Sequence, residues 1–420
     1  MPAVRIENRA QLIYLLTEAA EIEHNVLCCY LFAQFSMKDD TSEGLTVEQL
    51  EKVRSWRATI GDIVVQEMLH LASACNLLTA VGGAPQLRRP NLPTSPRAYP
   101  KVFELRLVPF DLEALDQFVF LERPEYMEGT IRTGPSYRDS ALAVSSLRDV
   151  FSCERDYETL GELYRGIEDG LGYLAQKLGE EKLFVGRPGA QTAGSFFQLA
   201  DLVPVHDLAS AFAALKVIID QGEGASPDSE DSHYRRFLAM RDEFRDLAAA
   251  DPTFRAGRPV LTNPYALMPT DMGTSSGVNL LDDPLSVDMC SLFDSCYEVM
   301  VQMLGRLFVH AEESEEEFVA LADTSVGLMM DVVQPLGNAI TLLPAGPSHP
   351  GFNAGPSFRL SRGASIPTHK DAARLVLHER LTELAAYCQF LQASAAAPLV
   401  LASVKTALEG FAKRLAPGSS

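Results

Sequence analysis

The feature that most constrains this chain is a set of ionisable residues sitting inside apolar helical stripes. Over residues 47–81, Ile60, Val64, Leu71, Ala74, Leu78 and Val81 recur at three- and four-residue steps, the spacing of one helical face. Glu67 fills the vacant step between Val64 and Leu71, and His70, three residues on, projects to the same side. Local signals frame this helix. Thr46 and Gln49 have capping-box spacing and Leu45 and Leu50 that of a hydrophobic staple, so the helix begins near Val47; Gly82, Gly83 and Pro85 end it. Residues 10–37 repeat the arrangement, with Leu12, Leu16, Ala19, Val26 and Tyr30 on one stripe and Glu23 among them. A carboxylate in such a place must be paired, hydrogen-bonded or metal-bound. Lys and Arg are absent from 18–37, so no local cation answers Glu23. An E-x-x-H on its own arises by chance on polar faces, where it is an ordinary hydrogen-bonded pair; a second carboxylate at a matching core position is what points to a shared cation.

Composition narrows the classes. The 420 residues, 47 % hydrophobic and 22 % charged, describe a folded chain rather than a disordered one. The 36 basic residues against 56 acidic ones give a net charge of −20, which repels phosphate backbones and anionic lipid, so neither nucleic acid nor membrane is an expected partner. Cys28, Cys29, Cys75, Cys153, Cys290, Cys296 and Cys388 form no C-x-x-C pairs and read as reduced core thiols. With no apolar leader in the first ten residues, a soluble, cytoplasmic protein is expected.

The expected architecture is all-α. Residues 84–150, rich in Pro and Arg, form a long crossover with one extended-looking stretch at 102–108. Helical periodicity returns through Leu160, Tyr164, Ile167, Leu171, Leu174 and Leu178, and through Leu208, Phe212, Leu215 and Ile219, completing four helices. Glu223 follows Ile219 by four residues, and beyond a polar loop His233 opens a further helix through Phe237, Met240 and Phe244. Both also fit ordinary surface positions beside a Gly-rich turn. On the third helix, placement at 100° per residue favours Glu168, on the flank of the apolar stripe, over Glu162, nearly opposite its centre. Four glycines, at 161, 166, 170 and 172, make that helix unusual and leave Glu162 open if a second layer covers it. A Pro/Gly-rich linker over 251–284 leads to further helical stripes at 292–307 and 372–391. The division expected is a four-helix bundle over 1–250, with 84–150 inserted, and a C-terminal helical domain over 251–420 packed on it.

In order along the chain stand Glu21, Glu23 and His24 with the run 30–33; the block 67–71 with Asn76 through Gly82 and Gly83 to Pro85; Gly161, Glu162, Leu163 and Tyr164 to Ile167; and the blocks 220–224, 232–237, 291–297 and 354–358. In these the chain resembles the ferritin-like proteins of the iminophenyl-pyruvate dimer synthase family, related to the violacein and rebeccamycin chromopyrrolate-type synthases. The resemblance implies a carboxylate-bridged di-iron centre held by Glu23, Glu67, His70, Glu162, Glu223 and His233. Glu168 stands as a substitute for Glu162 or as an outer residue. The chain departs from the usual pattern in lacking a second E-x-x-H.

Carboxylate and imidazole ligation suits iron, with manganese as the alternative. The expected function is therefore a non-haem di-iron oxidase or oxygenase, acting with O₂ on a small amino-acid-derived imine or related intermediate of natural-product biosynthesis. Tyr30, one heptad beyond Glu23, and Tyr164 are candidate proton or electron relays, although such tyrosines are more often core residues with a satisfied hydroxyl. The alternatives are a non-catalytic ferritin-like metal-binding or stress protein and a metal-free pathway scaffold. Self-association and a partner biosynthetic enzyme both remain open.

Overall fold

The computed structural model describes residues 4–85, 87–94, 99, 104–124, 157–194, 199–223, 231–267, 277–308, 312–361 and 366–416, with Glu223 described by its backbone alone. Two long helices dominate the first half: α1 (Arg9–Ser36) and α2 (Val47–Ala80). The Asn8 side chain caps α1 by accepting from Gln11 N at 2.9 Å. The capping box of α2 is formed, with Gln49 N to Thr46 Oγ1 at 3.2 Å and Thr46 N to Gln49 Oε1 at 2.9 Å. Past Ala80 the chain turns through Gly82 at φ 84°, a left-handed backbone that a Cβ would disfavour.

Two further helices, α4 (Leu160–Leu178) and α5 (Leu208–Ile218), complete a closed bundle in which α1 packs on α2 and α4, and α5 on α2 and α4. Between α2 and α4 the crossover contains a helix that the sequence reading did not anticipate, α3 (Leu112–Leu121), capped by Asp111 and resting on α6 (His233–Ala250). The extended-looking stretch is not a strand over its described residues 104–108. It is held by two reciprocal pairs of bonds: Thr94 N donates to Leu105 O and Leu105 N to Thr94 Oγ1, both at 3.0 Å, and Asn263 N donates to Leu107 O at 2.9 Å while Leu107 N donates to Asn263 Oδ1 at 2.8 Å. Residues 102–103 and 125–156, Cys153 included, lie outside the described residues. The other six cysteines are free and buried.

The glycines of α4 have a plain cause. A Cβ on Gly166 would stand 2.4 Å from Val4 Cβ and one on Gly170 2.6 Å from Ile6 Cβ, so the N-terminal segment lies flat in a groove cut by the two glycines. That segment, and not the C-terminal half, supplies the second layer over α4.

The C-terminal half comprises α7 (Pro284–Leu307), α8 (Glu315–Leu328), α9 (Gln334–Ile340), α10 (Lys370–Leu391) and α11 (Val400–Arg414). A π turn, Met329–Val333, joins α8 to α9 without a break. This wide turn admits Pro335, which lacks the N–H a regular helix would use there. One apolar core runs through both halves. Its polar seam lies on the side of α1 facing away from the bundle. His24 Nδ1 donates to Leu87 O at 2.9 Å, which leaves Nε2 to accept from the hydroxyl of Tyr297 on α7. The same hydroxyl stands 3.1 Å from Cys28 Sγ, and Arg89 Nη2 donates to Phe358 O at 2.7 Å. Blocks 291–297 and 354–358 thus meet on α1. A second tie is Arg258, buried in the linker after α6. It makes a bidentate pair with Glu43, at 2.6 and 3.0 Å, and reaches Phe35 O and Thr341 Oγ1 at 3.2 Å each. Helix α2 and the continuous span 315–340 have the length and apolarity of a membrane span, but the apolar window of α2 is 83 % buried in protein.

Candidate metal centre

Glu67 and His70 leave α2 on the face turned to α1, as their three-residue spacing requires. His70 Nδ1 lies 3.4 Å from Glu67 Oε2 and 3.7 Å from Glu23 Oε2. On the other side of Glu67, His233 Nδ1 lies 2.8 Å from Glu67 Oε1 and 3.6 Å from Glu122 Oε2. These five side chains make two groups of three ligand atoms, Glu23–Glu67–His70 and Glu67–Glu122–His233, with Glu67 common to both. Two atoms bound to one ion at about 2.1 Å stand about 3–3.5 Å apart in tetrahedral geometry, close to the separations found here.

The surroundings direct these atoms inward. His70 Nε2 faces Gln221 Oε1 at 3.2 Å and His233 Nε2 faces Gln66 Oε1 at 3.0 Å. Arg236 Nη1 also donates to Gln66 Oε1, at 3.0 Å, which identifies that atom as the oxygen. An amide oxygen only accepts, so each ring carries its proton on Nε2 and turns Nδ1 toward the carboxylates. Tyr164 donates to Glu23 Oε1 and Tyr30 to Glu122 Oε1, so each outer carboxylate has one oxygen tied and the other pointing in. Six inward atoms have no hydrogen-bond partner outside their own group: Glu23 Oε2, both oxygens of Glu67, Glu122 Oε2, and Nδ1 of His70 and His233. Orphaned polar atoms this deeply buried are rare unless something binds them. An oxygen–nitrogen donor set of this kind suits two divalent transition-metal ions.

Without ions the site balances itself with protons. Burial alone would raise Glu67, but His70 and His233 beside it hold its carboxyl well below the usual range. Burial works against charging the histidines, yet Glu67 and Glu23 raise His70 to about 10, and Glu122 and Glu67 raise His233 to about 9. Glu23 goes up to about 8, chiefly through burial, with His70 opposing.

Of the residues singled out in the sequence, Glu23, Glu67, His70 and His233 come together, with Tyr30 and Tyr164 immediately behind. Glu162 does not join them. Thr159 caps α4 by accepting from Glu162 N at 3.2 Å, and Glu162 Oε2 turns back to accept from Glu158 N at 2.7 Å. It serves the helix terminus, on the side of α4 away from Tyr164. Glu168 is half-buried and belongs to neither ligand group. The Glu223 side chain lies outside the described residues. Its backbone ends a π turn, Ile219–Glu223, which presses on the second group: a Cβ on Gly222 would stand 3.0 Å from His233 Nδ1 and 3.4 Å from Glu122 Oε2. The ligand candidate that the sequence reading missed is Glu122, at the end of α3. Its signal was present, since Leu115, Phe118 and Val119 make a helical stripe and Glu122 continues it four residues after Phe118.

A family model described as ferritin-like matches residues 16–242, more than half of the chain. The chain belongs to the ferritin-like family. Within this ferritin-like span lie all five ligand candidates and both tyrosines. The chain is 28 % identical over 417 residues to a dichlorochromopyrrolate synthase of Lentzea aerocolonigenes, an alignment covering 90 % of this chain and 39 % of that protein. It is 27 % identical over 369 residues to a 2-imino-3-(indol-3-yl)propanoate dimerase of Chromobacterium violaceum, covering 84 % of this chain and 34 % of that one. The chain thus spans between a third and two-fifths of the length of these curated relatives. Among solved structures, a ferritin-like protein from Caulobacter vibrioides matches 85 % of this chain and all of its own, with a TM-score of 0.51 at 18 % identity, a likeness of fold.

Proposed function

We propose that this ferritin-like chain is an oxidase or oxygenase with a two-iron centre, acting with O₂ on a small amino-acid-derived imine. The observation that carries the reading is the convergence of six orphaned, fully buried ligand atoms on two groups that share Glu67. Glu23 and His70 would hold one ion, Glu122 and His233 the other, and Glu67 would bridge them. Glu223, on the turn that brushes the second group, is proposed as a further carboxylate, and manganese as the alternative metal. When bound, the ions would supply the reduction of O₂ that an oxidative coupling needs.

The chain's own residues do the rest. Gln221 and Gln66 fix the imidazole tautomers, so that Nδ1 of each ring is the free donor. The Tyr164 and Tyr30 hydroxyls sit on the outer oxygens of Glu23 and Glu122, where each can hold a proton against the carboxylate or pass it on. Glu67, His70 and His233 are 0 % exposed, which keeps bulk water from the reacting oxygen. The name of one relative, a 2-imino-3-(indol-3-yl)propanoate dimerase, supports an imine that is joined to a second molecule.

The test is anaerobic Fe(II) loading of wild type, Glu67→Ala and Glu122→Ala, with metal counted per chain. O₂ uptake is then followed with freshly generated 2-imino-3-(indol-3-yl)propanoate as substrate. Two ions in wild type, fewer in the variants, and O₂ consumption coupled to substrate loss are the expected results. Metal binding without substrate-dependent O₂ uptake would overturn the enzyme reading, and absence of binding would overturn the metal centre.

A further inference from the structure

The two candidate ligand histidines are backed in different ways. His70 lies well inside α2, and its Nε2 meets Gln221 Oε1 at 3.2 Å; among the described residues no cation donates to Gln221. His233 opens α6, and its Nε2 meets Gln66 Oε1 at 3.0 Å. Arg236, three residues on and so on the same side of α6, donates from Nη1 to that same oxygen at 3.0 Å and from Nη2 to Thr59 O at 3.2 Å. A guanidinium therefore stands one amide behind the imidazole. Among the described residues its ion-pair partner is Asp62, whose Oδ2 lies 3.5 Å from Nη2. The Asp62 side chain is 78 % exposed and that of Arg236 only 20 %, so water screens the acid more than the cation it answers.

We infer that Arg236 is a positioning residue that makes the two ion positions unequal: acting through Gln66 and His233, it weakens the hold of the Glu67–Glu122–His233 group on a divalent ion and raises the reduction potential of iron bound there. The inference rests on the metal centre proposed above. Three effects share this sign. Gln66 Oε1 serves two donors, and the bond from the charged one is the stronger, so the oxygen is polarised toward Arg236 and accepts less well from His233. A ligand imidazole gains basicity from the acceptor behind its other N–H, which leaves His233 a poorer donor than His70. A fixed positive charge in half-buried surroundings also repels a divalent ion, and repels Fe(III) more than Fe(II), which is what raises the potential. The third effect is the start of α6. Ser232 Oγ caps only Arg235 N, at 3.4 Å, and the remaining N–H groups of the first turn place partial positive charge beside His233. His70, inside a long helix, meets none of the three. The arrangement biases oxidation toward the iron beside His70.

The experiment is stepwise titration with Co(II) and Fe(II) under argon of wild type, of Arg236→Met, which keeps an apolar stem and removes the charge, and of Arg236→Lys, which keeps the charge. Glu23→Gln and Glu122→Gln assign the two binding steps to their positions. Removing the charge should tighten the ion beside His233 by about 10-fold or more, the scale on which residues behind a ligand histidine act, and leave the ion beside His70 within about 2-fold. A dye-mediated redox titration should show the midpoint potential of the tightened iron moved down. Arg236→Lys should stay close to wild type. A merely structural Arg236 predicts the opposite sign, because loosening α6 against α2 would weaken the ion. Gln66→Glu, which sets a carboxylate behind His233, should also tighten that ion and keeps the test available if Arg236→Met does not fold. Unchanged or weaker binding beside His233 in folded Arg236→Met, or equal effects of the Met and Lys variants, would overturn this inference and leave the two-ion centre standing. A wild type that binds no ion would overturn the centre, and this inference with it.

Discussion

Replacing Glu122 by Gln tests the least expected part of the site. The substitution keeps the length of the side chain and an oxygen to accept from Tyr30, but removes the negative charge from one corner of the Glu67–Glu122–His233 group. Counting the five ligand candidates alone, three carboxylates and two neutral imidazoles would face the four positive charges of two bound ions, a net of +1; Glu122→Gln makes it +2 in a fully buried place. Losing a group that merely orients a ligand costs about 10–100-fold in metal affinity. Losing a ligand should cost more than about 100-fold, or about 2.7 kcal/mol at 1.36 kcal/mol per decade. At Fe(II) concentrations that give wild type two ions, the variant should hold one. Glu162→Gln is the matched control. It disturbs the contact with Glu158 N at a helix terminus, away from both ligand groups, should cost no more than about 1 kcal/mol of stability, and should keep both ions. The assay is equilibrium Fe(II) titration under argon with metal counted after desalting, and urea unfolding run in parallel. Two tightly bound ions in Glu122→Gln, or one in Glu162→Gln, would refute the assignment of the ligand to the crossover.

Metal loading should also release protons. His70 and His233, raised to about 10 and 9, both hold a proton on Nδ1 at pH 7, and Glu23, raised to about 8, holds most of one. Two ions should therefore displace two to three protons per chain at pH 7, and affinity should climb as pH rises from 6 to 9; an indicator-dye measurement showing no release would contradict this. In the metal-free chain the raised histidines add stability that is complete below pH 6.5 and is lost as pH passes about 9–10, which urea midpoints against pH will register. Gly222→Ala should weaken the second ion selectively, because its Cβ would crowd His233 Nδ1 and Glu122 Oε2; metal counting should show one tight and one weak site. Arg258→Ala leaves Glu43 without its bidentate partner and Phe35 O with Thr341 Oγ1 as its remaining side-chain donor, and should lower unfolding free energy by about 3 kcal/mol without changing metal stoichiometry.

The parts of the site on long regular helices were legible because a carboxylate interrupting an apolar stripe is visible by spacing alone. Glu23, Glu67 and His70 were found that way. Glu122 satisfies the same rule, but α3 is a ten-residue helix inside a Pro- and Arg-rich crossover, where composition suggests loop. Glu162 shows the opposite failure. Thr159 and Glu162 have the same T-x-x-E/Q spacing that marked Thr46 and Gln49 as a helix start, and the structure uses them so. The flanking Tyr164, two residues on and facing the core, is the member of that block that reaches the centre. Helices α8 and α9 were not read from the sequence, although Ser314 and Glu317 have the capping-box spacing that starts α8.

The two-sided burial of α1 bears on how this chain can be dissected. From Ile22 to Tyr30 every residue of α1 is buried, one side among the ligand candidates and the other beneath Tyr297 and Phe358. A fragment ending at the proposed boundary near residue 250 would keep every ligand candidate, yet it would present Cys28, Phe32 and Phe35 to water along one strip of its longest-buried helix. Such a fragment should be sticky and short-lived even though its candidate metal site is whole. Recombining halves from different relatives should succeed only where the outer strip of α1 travels with the C-terminal half that covers it. For inheritance, then, the natural unit is the helix together with its cover, and residue 250 is a poor place to cut.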